Sequence, residues 1–220
     1  MLRKTTIDFL KNLKKNNNKE WFDANRTEYL MAKEDFEGLV SIIILQLTKI
    51  DARYGELKPK DCVFRINRDV RFSKDKSPYK TNMGAGFSIG GKKSNMAGFY
   101  LHIEPGQNFV GGGLWMPDAD ALKKIRQEID YNFNKFKKIV EYKTFKTTYG
   151  GISMENSLKN PPKGYDIENK AIEYLKLKSF VTSKSILDSE LLDKKTIQKV
   201  QTSFNTIAPF ISFLNTAITD

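Results

Sequence analysis

The sequence predicts an α+β fold in which a small central antiparallel β-sheet, a meander of about four to six strands, is covered by N-terminal and C-terminal helices. Three observations predict it. Apolar residues recur at helical spacing up to Leu47, alternate with period two from Cys62 to Leu114, and return to helical spacing after Pro117. Residues 1–220 are expected to form one domain, with N-terminal helices in 1–54, the sheet and a basic hairpin in 62–115, and a mainly helical part in 118–220.

The elements follow in order. Thr5-x-x-Asp8 opens a helix carrying Ile7, Leu10 and Leu13, and the run Asn16-Asn17-Asn18 stops it. Asn17-x-x-Glu20 serves as a capping pair for a second, long helix, whose stripe runs from Trp21 and Phe22 through Tyr29, Phe36, Leu39, Val40, Ile43 and Ile44 to Leu47, with Gly38 as the place for a bend or break. From Cys62 the alternation places Cys62, Phe64 and Ile66 on one face, then Ala85, Phe87 and Ile89, then Phe99, Leu101 and Ile103. Gly90-Gly91 and Pro105-Gly106 supply hairpin turns, and a further strand lies around Phe109 to Leu114. The opposite face carries Arg65, Asn67, Tyr100, His102 and Glu104 among glycines, which leave room for a ligand or another backbone. Pro117-Asp118 opens a helix at about Ala119, and helical sequence continues to Tyr142. Gly150-Gly151 breaks it, Ile172 to Leu177 form a short helix, Ser179 to Ile186 read as a strand, and residues 189–217 read as closing helices kinked near Pro209.

Hydrophobic residues make up 40% of the chain and aromatics 12%, enough burial to offset ordering entropy and exclude a disordered chain. The longest greasy stretch, Leu39 to Leu47, is interrupted by Ser41 and Gln46 and falls well short of the roughly 20 residues of a membrane span, so no membrane partner is expected. Cys62 is the sole cysteine and forbids an intramolecular disulfide. Together with an amino terminus that lacks the apolar run of an export signal, this leads us to expect a cytoplasmic protein. One histidine and one cysteine cannot build a histidine-rich or thiolate metal centre, so no metal ligand and no cofactor is assigned.

Net charge is +11, and residues 51–100, with eleven cations against five acids, supply +6 of it. Such a local excess attracts anions. Its centre is the segment 65–82, where Arg65, Arg68, Arg71, Lys74, Lys76 and Lys80 are interleaved with Asp69 and Asp75. Guanidinium groups offer planar paired donors that match phosphate and carboxylate, so Arg65, Arg68 and Arg71 are candidates for an anion cradle closed by Lys76, Lys80 and Asn82 on the return arm. Trp21, Asn25 and Tyr29 share a helix face, and Trp21 with Arg26 is a candidate wall over this hairpin, with Tyr100 as a further contact on the sheet. The same residues also fit core anchors and a local ion pair. Candidates for proton transfer are His102, Tyr79 and Asp69. Gly86 to Ser94 comes one residue short of a phosphate-binding loop and lacks the helix that loop needs, so it is read as a hairpin turn.

The pattern Arg65-x-x-Arg68-Asp69-x-Arg71-Phe72-x-x-x-Lys76-x-x-Tyr79-Lys80-Thr81-Asn82 resembles the signature of domain-of-unknown-function family 2461, a bacterial family of conserved hypothetical proteins. Glu20-Trp21-Phe22-x-x-Asn25-Arg26-x-x-Tyr29, Gly98-Phe99-Tyr100-Leu101-His102-Ile103 and Gly111-Gly112-Gly113-Leu114-Trp115 resemble it too. The resemblance covers most of the chain and brings no activity, substrate or catalytic residue with it. The residues themselves leave three readings: a domain that binds an anionic small molecule, with an enzyme acting on that molecule as its extension; a nucleic-acid-binding surface built on cations interleaved with Trp21, Phe72, Tyr79 and Tyr100; or a partner-binding scaffold in which Arg68 or Arg71 pairs internally with Asp69 and Asp75.

Overall fold

A computed structural model describes residues 1–219. It is α+β, with helices toward both termini and, among the described residues, one four-stranded antiparallel sheet in the order β1-β2-β3-β4. The strands are β1 (Met83–Ser88), β2 (Gly98–Ile103), β3 (Phe109–Leu114) and β4 (Phe180–Ser185). No described helix is long and apolar enough to cross a membrane.

The chain divides into two compact units, each assembled from separated stretches of sequence. The first comprises 1–92, 100–110 and 185–201. It holds α1 (Lys4–Lys15), α2 (Lys19–Ala24), α3 (Arg26–Leu47), a 3-10 turn at Ala52–Glu56, α4 (Pro59–Cys62), β1 and α9 (Asp188–Leu191). Ile7, Phe9, Leu10 and Leu13 of α1 and Phe36, Leu39, Val40 and Ile43 of α3 are buried, at the helical spacing read from the sequence.

Three details differ from that reading, the first two because a tertiary partner overrides a local cap. Helix α1 starts at Lys4, and Thr5 does not cap it. Instead Asp35 of α3 reaches across, and its Oδ2 accepts from the Arg3 backbone N–H (2.9 Å) and the Thr6 hydroxyl (2.6 Å). The cap of α2 is Asn18, whose side chain accepts from Trp21 N at 2.9 Å, because Asn17 is engaged elsewhere. The long helix breaks at Asn25, whose side chain donates to Trp21 O (2.8 Å), whereas Gly38 sits inside an uninterrupted α3.

The second unit comprises 93–99, 111–184 and 202–220. It holds α5 (Ala119–Tyr131), α6 (Phe133–Val140), α7 (Lys143–Tyr149), α8 (Ile172–Leu175), β4 and most of α10 (Thr196–Thr219), which runs through Pro209 as one helix. Asp118 caps α5 as expected, accepting from Ala121 N at 2.8 Å. Aromatic rings fill this unit: Phe99 lies 4.8 Å from Phe204, and Phe136 5.2 Å from Phe213.

Candidate functional site

Every sequence-predicted site residue lies in the first unit, most of them on or beside the hairpin of residues 63–82. Its arms are not regular strands. They are held by isolated antiparallel bridges, Val63 to Ala85 and Asn67 to Tyr79, and by the backbone bonds Phe64 N to Gly84 O (2.9 Å), Lys80 N to Ile66 O (2.8 Å) and Arg68 N to Pro78 O (2.9 Å). Between the two bridges the outgoing arm advances four residues and the returning arm six, so the returning arm bulges over residues 80–84. The bulge re-aims consecutive side chains: Thr81 reaches Glu104 and Asn82 reaches His102, which strict alternation would send to opposite faces.

A clamp fixes this irregular arm. The Asn17 side chain donates to Tyr79 O (2.9 Å) and accepts from Tyr79 N (3.1 Å), a side-chain imitation of a strand partner. The Tyr79 ring is buried and stacked on Phe22 of α2, with centroids 3.9 Å apart and planes at 14°. Trp21 turns instead toward Phe9 of α1 (6.0 Å), and Arg26 stands exposed at the first turn of α3.

The cations fall into two groups. Arg68 pairs with Asp75 and also donates to Ser77 O (3.1 Å). Arg71 grips Asp69 with two donors, at 2.9 and 2.6 Å. Lys76 donates to Val70 O at 3.0 Å. The Ser77 hydroxyl and backbone N–H, with Arg68 behind them, hold the Asp75 carboxyl down at about 2, and the Arg71 guanidinium likewise depresses Asp69. Arg65 and Lys80 are different. Arg65 is exposed and has no hydrogen-bond or ion-pair partner among the described residues. Lys80 lies over the Phe64 ring at 5.7 Å, and its pKa is pushed down by burial first and by the charge of Arg65 second.

Beside them runs a chain of polar groups on β2. Tyr100 Oη lies 3.2 Å from His102 Nδ1, Asn82 Nδ2 lies 3.4 Å from the same nitrogen, and His102 Nε2 lies 3.4 Å from Glu104 Oε2. A carboxylate only accepts, so Nε2 carries the hydrogen and Nδ1 accepts. Glu104 Oε1 is occupied by the Thr81 hydroxyl (2.8 Å) and by Lys14 of α1 (3.6 Å). Phe109 of β3 stacks under His102, with centroids 4.6 Å apart and planes at 12°. Burial lowers the His102 pKa, and Glu104 pulls it back up only in part.

The glycines have a more specific use than room for a ligand. A Cβ on Gly84 would stand 2.5 Å from Tyr100 Oη, and one on Gly86 would meet the Phe64 ring at 3.4 Å, so these gaps are filled by rings of the chain itself. At Gly111 and Gly113 a Cβ would lie 2.2 Å from Thr182 O and 2.0 Å from Phe180 O, so there the space goes to the backbone of β4. Phe64 departs from the face it was assigned with the buried Cys62 and Ile66: it is 39% exposed, and its ring lies beside Gly86 and Tyr100. Sequence reasoning missed Asn17, Thr81, Lys14 and Gly84 as site residues. Glu104, also left out of the candidates, had a signal in the period-two series Tyr100, His102, Glu104, and Thr81 had one in its place between Lys80 and Asn82.

No curated protein and no solved structure matches the chain. The family model described as "Conserved hypothetical protein (DUF2461)" matches residues 5–213 of the 220, nearly the whole sequence and all of the hairpin and the β2 face, so the chain belongs to that family.

Proposed function

We propose that this protein binds a small molecule bearing a phosphate or carboxylate group, with the anion seated at Arg65 and Lys80. One observation carries the reading: Arg65 and Lys80 feel each other's charge, neither has a hydrogen bond or ion pair to a carboxylate among the described residues, and Asp69, the carboxylate that feels Arg65, is gripped by Arg71. Like charges held together are unfavourable, and an anion between them converts repulsion into two charge-assisted bonds. Arg68 and Arg71 already have their carboxylates in Asp75 and Asp69, so they shape the hairpin and leave the ligand to the unpaired cations.

Titration calorimetry of the full chain with inorganic phosphate, pyrophosphate and citrate tests this. Arg65→Ala and Lys80→Ala are each expected to weaken the tightest of these about tenfold or more, the scale of one charged hydrogen bond, while Arg71→Ala leaves it nearly unchanged. Equal affinity in all three variants overturns the reading. One feature favours nucleic acid as a second reading: Phe72 is 97% exposed at the hairpin tip, with the Arg71 guanidinium 5.9 Å from its ring centre, a platform on which a base can stack. Binding of a single-stranded oligonucleotide that falls steeply with salt and is lost in Phe72→Ala would favour that alternative.

A further inference from the structure

We infer that Tyr100, His102 and Glu104 form a proton relay in which Tyr100 Oη is the base that takes a proton from the anionic ligand, making the protein an acid–base catalyst. The inference rests on the anion-binding reading and adds a reaction to it. The pleat places residues two apart on one face, so phenol, imidazole and carboxylate stand in line along β2. The line is directional. Glu104 Oε1 is taken by Thr81 and Lys14, which leaves Oε2 for the imidazole Nε2–H, and this fixes Nδ1 as an acceptor pointed at the phenol. Phe109 holds the imidazole flat, and Gly84 is the one residue type that lets the phenol oxygen lie where it does.

The step balances as a pure proton transfer. The ligand's O–H or acidic C–H gives its proton to Tyr100 Oη as the phenolic proton passes to His102 Nδ1. The imidazolium so formed keeps its Nε2–H on Glu104, whose negative charge compensates it, and return of the proton through Tyr100 to a different atom of the ligand completes a proton shift and restores the resting state. No oxidant, metal or second substrate enters. The separations of 3.2 and 3.4 Å leave room for the chain to tighten when a ligand engages the phenol. The groups facing His102 are Tyr100 and Glu104 from its own strand and its end, Asn82 from the returning arm and Phe109 from β3, with Thr81 and Lys14 of α1 acting through Glu104. Burial favours the neutral imidazole, the form able to accept.

His102 is the only histidine, so the full chain labelled with nitrogen-15 histidine gives one pair of ring signals. The free protein is expected to show the Nε2–H tautomer, and saturating inorganic phosphate is expected to raise the His102 pKa by about one unit or more. In Tyr100→Phe, phosphate still binds by calorimetry, weakened at most about tenfold by one lost hydrogen bond, but the rise disappears. An equal rise in Tyr100→Phe means that charge alone moves His102 and overturns the relay. Phosphate binding without a rise in the wild-type chain overturns the relay and leaves the binding reading standing, whereas no calorimetric binding of phosphate overturns both. Should Tyr100→Phe fail to fold, the tautomer of the unaltered protein decides, since an Nδ1–H form cannot accept from Tyr100.

Discussion

Asn17 shows how a single amide can organise a candidate site to which it contributes no chemistry. Both of its polar atoms are spent on the backbone of Tyr79, 62 positions away, and Phe22 seals the same residue by stacking. Asn17→Ala leaves a partly buried N–H and C=O without partners and is expected to cost about 1–3 kcal/mol, read as a lower denaturant midpoint. The loss should also disorder the arm that carries Lys80 and Asn82, so phosphate affinity should fall with it. At this scale the sequence was only partly legible. The asparagine run announced a helix boundary, but which asparagine capped α2 was decided by a long-range contact that no local pattern encodes. The sequence offered Asp69 and Asp75 as partners for Arg68 or Arg71 without choosing between them, and the structure gives Arg71 to Asp69 and Arg68 to Asp75.

At the scale of elements, periodicity revealed the three strands of the meander and β4, because half-buried strands must alternate. It overextended into residues 62–67, where α4 and two isolated bridges replace a strand. The irregularity there comes from the two extra residues of the returning arm, a count that only pairing reveals. Glycines at strand and helix positions make opposite predictions. Gly113 has φ of +123° and no space, so Gly113→Ala must force β3 from the backbone of β4 and is expected to cost more than about 2 kcal/mol. Gly38 has nothing within 4 Å of its virtual Cβ and lies in the interior of α3, so Gly38→Ala is expected to stabilise by about 0.5–1 kcal/mol. Thermal unfolding of the two variants side by side checks the contrast.

For the whole molecule, acid acts twice. His102 has a folded pKa below its ordinary 6.5, so there is no penalty above that value, and a penalty grows as pH falls through it because the unfolded chain binds the proton more readily. Asp75 and Asp69 also have depressed folded pKa values. Their contribution is complete above the ordinary 3.8 and is lost as pH falls further, down to about 2 for Asp75. Denaturation measured across this range is expected to show two declines: His102→Gln removes the upper one and Asp75→Asn weakens the lower. The α+β class and the location of the charged cluster were readable from composition and pattern, whereas the split between paired and unpaired cations was not, since pairing depends on how a bulged arm folds. The Asn17 clamp carries a last consequence, for the order of events in folding. A bond spanning 62 residues forms only after the chain has met the entropy of closing that loop, and contacts of such separation form slowly. The hairpin is rich in local ion pairs and can sample its turn early, but its returning arm waits for α1 and α2. The cation pair therefore takes its final geometry late in folding, and a nascent chain exposes a basic segment before it possesses a site.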